Sequence, residues 1–238
     1  MSPDFDSTMR ELESLGTAHT KKSYLSRGIR EPLFGVATGA MKPLKKQIGV
    51  DQALAEQLWD TGNFDAMYLA GMIADVSVMP EASFDHWADT AYCSMLSSSV
   101  VAVTLAESDR AQPVASRWIR SGGETRASAG WACYEWLLSW RPDSYFDADT
   151  IRELLDLAVA TVHEAPPRVK RAINGFVVAV GVSYGPLHDD ALKAAEAMGV
   201  VEVAASDGAV KPLGSAAEQI RKAAEKGRIG FKRRAVRC

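Results

Sequence analysis

Apolar residues recur along most of the chain at the three- and four-residue spacing that puts them on one side of a helix. In DQALAEQLWDTG the pattern groups Leu54, Leu58 and Trp59, with Asp51 placed to cap the first turn and Gly62 to stop the last. NFDAMYLAGMIAD follows with Phe64, Met67, Leu69, Met72 and Ile73, a wider apolar surface that predicts an inner helix. DTIRELLDLAVATVHEA predicts a further helix, opening on a capping box from Thr150 to Glu153 and stacking Ile151, Leu154, Leu155, Ala158 and Val162. Pro166 and Pro167 break the chain and start RVKRAINGFVVAVGVS. HDDALKAAEAMG and SAAEQIRKAAEKG read as two shorter helices, the second capped by Ser215 with Glu218 three residues on.

One segment departs from this period. VVEVAASDGAVKP alternates β-branched residues around an Asp207-Gly208 pair, which predicts a short hairpin or extended connector. No succession of strands, glycine-rich phosphate loop or GxSxG elbow occurs elsewhere. Antiparallel helix pairs on short loops, recurring about every 35 to 45 residues, are the pattern of a helical repeat array. The expected fold is therefore all-α. It is a single domain of stacked helix pairs over residues 1–205, followed by a helix and a basic tail over 206–238.

Composition narrows the class. Of 238 residues, 47% are hydrophobic and 24% charged, enough apolar surface for a substantial core. No run reaches the eighteen or so apolar residues a membrane span needs, and MSPDFDSTMRELESLG carries no hydrophobic targeting segment, so a cytoplasmic protein is expected. Cys93, Cys133 and Cys238 are odd in number and far apart, and His19, His86, His163 and His188 are scattered, which argues against a disulfide framework or a metal site. No cofactor is implied. The net charge of −3 hides a basic ending, KGRIGFKRRAVRC, with Lys226, Arg228, Lys232, Arg233, Arg234 and Arg237 and no acid. Such a run suits a polyanion, and equally a solvated terminus.

The stretch FDHWADTAYCSM, from Phe84 to Met95, puts a tryptophan and two aspartates within about three helical turns. Phe84, Trp87 or Ala88, Ala91 and Met95 form an apolar stripe, which turns Trp87 inward. Asp89 then lies about 200° round from it, sharing a face with Asp85 near Tyr92. The carboxylates are expected toward solvent or a groove wall, unpaired with the indole.

Several stretches together resemble the AlkD-type DNA alkylation repair family. They are KKSYLSRGIREPLFGVATGAMKPLKKQ (Tyr24, Gly28, Phe34, Gly35, Val36), LAEQLWDTGNFDAMYLAGMIAD (Leu54, Ala55, Leu58, Trp59, Leu69, Ala70, Asp75), RWIRSGGETRASAGWA and VKRAINGFVVAVG. The resemblance covers most of residues 20–185, and AAEKGRIGFKRRAVRC is similar to the tail of one bacterial subgroup. It implies a curved array of HEAT-like repeats and a basic face gripping duplex DNA. It also implies a glycosylase releasing cationic alkylated purines without a metal. In such a reaction a carboxylate and indole faces stabilise the developing oxocarbenium charge. The family's reactive pair is Trp-x-x-x-Asp. Started at Trp87 the pattern ends on Ala91, and in the other register it runs from Ala88 to Tyr92. Neither supplies the aspartate. The family's arginine in NFDAMYLAG is Met67 here, and Phe176 lies near a family tryptophan, where core packing is the expected role.

On this footing Asp89, Trp87 and Asp85 are the candidate catalytic residues. The candidate DNA contacts are Tyr24, the stripe Lys42, Lys45 and Lys46, the backbone-gripping Arg126, the cluster Arg168, Lys170 and Arg171 at a helix start, and Lys232, Arg233 and Arg234 in the tail. The tryptophans Trp118, Trp131, Trp136 and Trp140 fall at spacings that turn several of them inward. Three functions follow: an alkylpurine glycosylase on alkylated or distorted double-stranded DNA, a non-catalytic relative that binds DNA structure, or a HEAT scaffold for protein partners.

Overall fold

A computed structural model describes residues 3–204 and 209–236. The chain divides into two compact units, which meet in sequence between Ser108 and Asp109. The expected boundary at residues 205 and 206 lies outside the described residues, as do the Asp207-Gly208 turn, Arg237 and Cys238.

The first unit holds α1 (Phe5–Leu15), α2 (Ala18–Ser26), α3 (Lys42–Ile48), α4 (Gln52–Asp60), α5 (Phe64–Ile73), α6 (Glu81–Thr90), α7 (Ser94–Leu96) and α8 (Ala102–Glu107). A π-helical turn, Ser97–Val101, joins the last two. Asp51 caps α4 as the sequence predicts, its carboxylate accepting from the Leu54 amide at 2.9 Å. Asn63 caps α5, the central helix of this unit, in which Phe64, Ala66, Met67, Leu69, Ala70 and Ile73 are all buried. The π-helical turn packs against α5 at Gly71, where a Cβ would stand 2.2 Å from Val100 Cγ1. A stiff β-branched side chain on a widened turn cannot yield that space. Gly71→Ala is expected to destabilise the protein by about 1–3 kcal/mol, read as a lowered denaturation midpoint at unchanged slope.

The second unit holds α9 (Ala111–Arg120), α10 (Glu124–Trp140), α11 (Ala148–Thr161), α12 (Pro167–Ser183), α13 (His188–Met198) and α14 (Ala216–Glu225). Strands β1 (Glu202–Ala204) and β2 (Val210–Pro212) pair antiparallel, Val203 opposite Lys211, which makes the extended segment a hairpin. The core lies between α10 and α12, with Trp118, Trp131, Tyr134, Ile173, Phe176 and Val177 buried there and beneath α9. Phe176 meets Trp131 with ring centres 5.0 Å apart, so it packs as expected. Trp136 and Trp140 remain half-exposed.

Two boundaries correct the sequence reading. The α11 helix begins before Thr150, because Asp147 is the cap: its carboxylate accepts from both the amide and the hydroxyl of Thr150, at 2.9 and 2.7 Å. The helix through FDHWADTAYCSM ends at Thr90 and resumes only at Ser94. Tyr92 therefore stands in a connector and shares no helical face with Asp85 and Asp89.

Candidate functional site

In the first unit α6 is clasped to α4 by its tryptophan. Trp87 is fully buried, its ring stacked on that of Trp59 at 4.3 Å and 6°. The Trp87 indole N–H donates to Glu56 at 3.0 Å, and that of Trp59 to the Thr90 hydroxyl at 2.8 Å. This leaves Trp87 no ring face for a nucleotide in this arrangement, as the apolar stripe implied. Asp85 is half-buried on α6 and Asp89 is exposed.

Asp89 borders a solvent-open cleft of about 690 Å³, whose walls include Arg30, Asp60, His86, Thr90 and Tyr92. His86 meets Asp60 at 2.9 Å. The Arg30 guanidinium lies 4.5 Å from the centre of the Tyr92 ring, and the Tyr92 hydroxyl donates to the Arg30 carbonyl at 3.3 Å. Burial pushes the Tyr92 phenol well above its ordinary range, so it stays neutral. A carboxylate in open water exerts only about 1 kcal/mol on a charge 4 Å away, against about 4 near a partly desolvated surface. An exposed Asp89 beside a neutral phenol is a weak stabiliser of a cationic sugar.

The segment joining α2 to α3 is fixed by a residue that the sequence reading passed over. Asp65 is buried, and its carboxylate accepts the amides of Phe34 at 2.6 Å, Gly35 at 2.9 Å and Val36 at 2.9 Å. Burial pushes its carboxyl above the usual aspartate range, while the Val36, Gly35 and Phe34 bonds pull it back. Gly35 has φ +84°, and a Cβ on it would come within 2.5 Å of the Lys21 backbone, so only glycine fits. Tyr24, placed at DNA by the resemblance, is buried beneath this loop. Its hydroxyl donates to the Val36 carbonyl at 3.0 Å and its ring meets Phe64 edge-on at 5.0 Å, which leaves it no access to a groove.

The predicted cations fall into separate groups. On α3, Lys42 and Lys46 are exposed and Lys45 half-buried between them. On α12, Arg168 pairs with Glu124 at 3.7 Å, Lys170 donates to the Glu202 carbonyl at 3.1 Å, and Arg171 is exposed. Arg126 is half-buried on α10. The tail folds back on the second unit: the Gly230 amide donates to the Val182 carbonyl at 2.8 Å, that of Arg233 to Ser139 at 2.7 Å, and Val236 is buried. Lys232 bonds the Leu138 carbonyl and meets Asp143, both at 2.8 Å, which ties it inward, while Arg234 is exposed. Among the described residues no group of three or more His, Cys, Asp or Glu could hold a metal ion, and no helix is long and apolar enough to cross a membrane.

The family model for DNA alkylation repair enzymes matches residues 7–206. An uncharacterized protein of Listeria innocua is 25% identical over 205 residues, 84% of this chain and 88% of its own length. An uncharacterized protein of Listeria monocytogenes is 26% identical over the same shares of both chains. A solved structure from "a new family of proteins related to the HEAT-like repeat DNA glycosylases with affinity for branched DNA structures" is 51% identical. It covers 99% of this chain and 100% of its own, with a TM-score of 0.95, and it gives the fold class as all-α and HEAT-like.

Proposed function

The chain belongs to the family of DNA alkylation repair enzymes, and on that premise we propose that it binds branched or distorted duplex DNA without releasing alkylated bases. The observation that carries this reading is the 51% identity, over 99% of the chain, to a protein related to the HEAT-like repeat glycosylases and having affinity for branched DNA. The local geometry bears on the chemistry. In the register that runs from Ala88 to Tyr92, the reactive positions fall on Ala88, which is buried, and on Tyr92. A neutral phenol tied to Arg30 supplies no negative charge to a developing oxocarbenium ion.

Binding would rest on phosphate contacts, which position the duplex and weaken with salt. Lys42, Lys46, Arg171 and Arg234, all exposed, are the strongest donors, and the half-buried Lys45 and Arg126 are next. Arg168, Lys170 and Lys232 would first have to leave internal partners.

Titration of a fluorescent three-way junction at rising salt is expected to show binding that falls log-linearly. Each of Lys42→Gln, Lys46→Gln and Arg171→Gln should lower the slope by roughly one. Under protein excess, methylated duplex should release no 7-methylguanine or 3-methyladenine. Release abolished by Asp89→Asn would restore the glycosylase reading, and absence of DNA binding would favour the protein scaffold.

A further inference from the structure

The C-terminal end of α10 carries cations laid on aromatic rings. Trp136 and Trp140 are four residues apart, so they stand on one side of the helix, about 6 Å apart along its axis. The Arg141 guanidinium lies 4.1 Å from the Trp140 ring centre and 4.9 Å from that of Tyr145. One turn back, Arg233 of the tail lies 4.9 Å from the Trp136 ring centre. Trp136, Trp140, Arg141 and Tyr145 are half-exposed and Arg233 is exposed.

A helix C-terminus attracts cations through its orphan carbonyls, and that alone could gather these residues. Two of those carbonyls are already answered by the tail. Leu138 accepts from the Lys232 ammonium and Ser139 from the Arg233 main-chain amide. The guanidinium groups of Arg141 and Arg233 are left to the rings. Arg141 Nε is buried and has no hydrogen-bond partner among the described residues. The acids do not cancel the group: Asp143 meets Lys232, and Glu135 faces Arg233 from a gap that a side chain at Gly175 would close. Among the described residues three cations stand against two carboxylates, and Arg141 forms an ion pair with neither.

With two ring centres 4.1 and 4.9 Å away and Nε buried, the Arg141 guanidinium can offer its terminal Nη edge, whose N–H donors form a fork suited to phosphate. Among the described residues Arg233 lies on one ring and is exposed, so its outer plane can stack. Planes of this kind hold unpaired bases, whereas a fully paired duplex presents no base face except at an end or a branch.

We propose that Arg141, Arg233 and Trp136 hold an unpaired DNA strand where it leaves a branch point, Arg141 taking a backbone phosphate and Arg233 with Trp136 receiving a base. This rests on the branched-DNA reading and adds the single-stranded arm as the feature recognised. It also gives the docked tail a purpose, since Arg233 lies beyond the residues the family model matches, 7–206.

The test uses the full chain and three probes: a three-way junction with one unpaired arm, an oligothymidine, and a linear duplex long enough that its two ends are few against its paired interior. Arg141→Gln and Arg233→Gln are each expected to weaken binding to the first two about five- to tenfold, and Arg141→Gln, which removes the phosphate contact, to lower the salt slope by about one. Binding to the linear duplex should change by less than about twofold. Arg141→Lys, which keeps charge but loses the fork, should fall between wild type and Arg141→Gln. Unchanged affinity and slope in variants that melt like the wild type would overturn the proposal, and so would an equal loss on the linear duplex. Arg233 is exposed, so its variant decides the matter even if an Arg141 variant misfolds. A wild type that binds the junction while both variants match it leaves the branched-DNA reading standing. A wild type with no junction binding removes both.

Discussion

Asp65→Ala is expected to lower stability by about 3–5 kcal/mol, among the largest losses any single replacement should cause here. The carboxylate holds the Phe34, Gly35 and Val36 amides, and its removal leaves three donors with no acceptor in a region too buried for water to replace it fully. Asp65→Asn should cost less, because its carbonyl can still serve the Phe34 and Gly35 amides while its NH₂ opposes that of Val36. Denaturant unfolding measures both. A shift below about 1 kcal/mol for the alanine variant would show that the loop is held by something else.

Trp87→Ala should cost about 3–5 kcal/mol, since it removes a fully buried indole, its stacking on Trp59 and the bond to Glu56. Trp87→Phe keeps most of the volume and should cost about half as much. The informative quantity is DNA binding by the phenylalanine variant, expected to equal that of the wild type at a temperature where both are folded. A Trp87→Phe protein with native stability but impaired DNA binding would make the indole a contact residue instead of a core one.

How far the sequence discloses the molecule depends on the range of the interactions. The caps of Asp51 and Ser215 act over three residues and are visible in the chain, as is the inward turn of Trp87. At α11 two capping signals compete, and Asp147 takes the place predicted for Thr150 because its carboxylate satisfies the Thr150 amide and hydroxyl together. The break after Thr90 carries no glycine or proline to announce it. There the Thr90 hydroxyl bonds back to the His86 carbonyl and accepts the Trp59 indole from another helix. Asp65 resembles an ordinary first-turn acid, and its partners lie about thirty residues earlier. Phe34, Gly35 and Val36 were legible only as part of a family resemblance, and the structure supplies the reason for that motif in the Asp65 bonds. The tail reads as a bare charge run, because its docking uses backbone amides, the Lys232 and Arg233 side chains and a single buried Val236, which leave no hydrophobic period.

The most direct measurement is competition. The protein is bound to a labelled three-way junction near physiological salt and displaced with either the unlabelled junction or a linear duplex of equal length and composition. The junction is expected to compete at far lower concentration than the duplex, while methylated versions of either release no free base. Equal displacement by both competitors, or release of methylated purine, would contradict it.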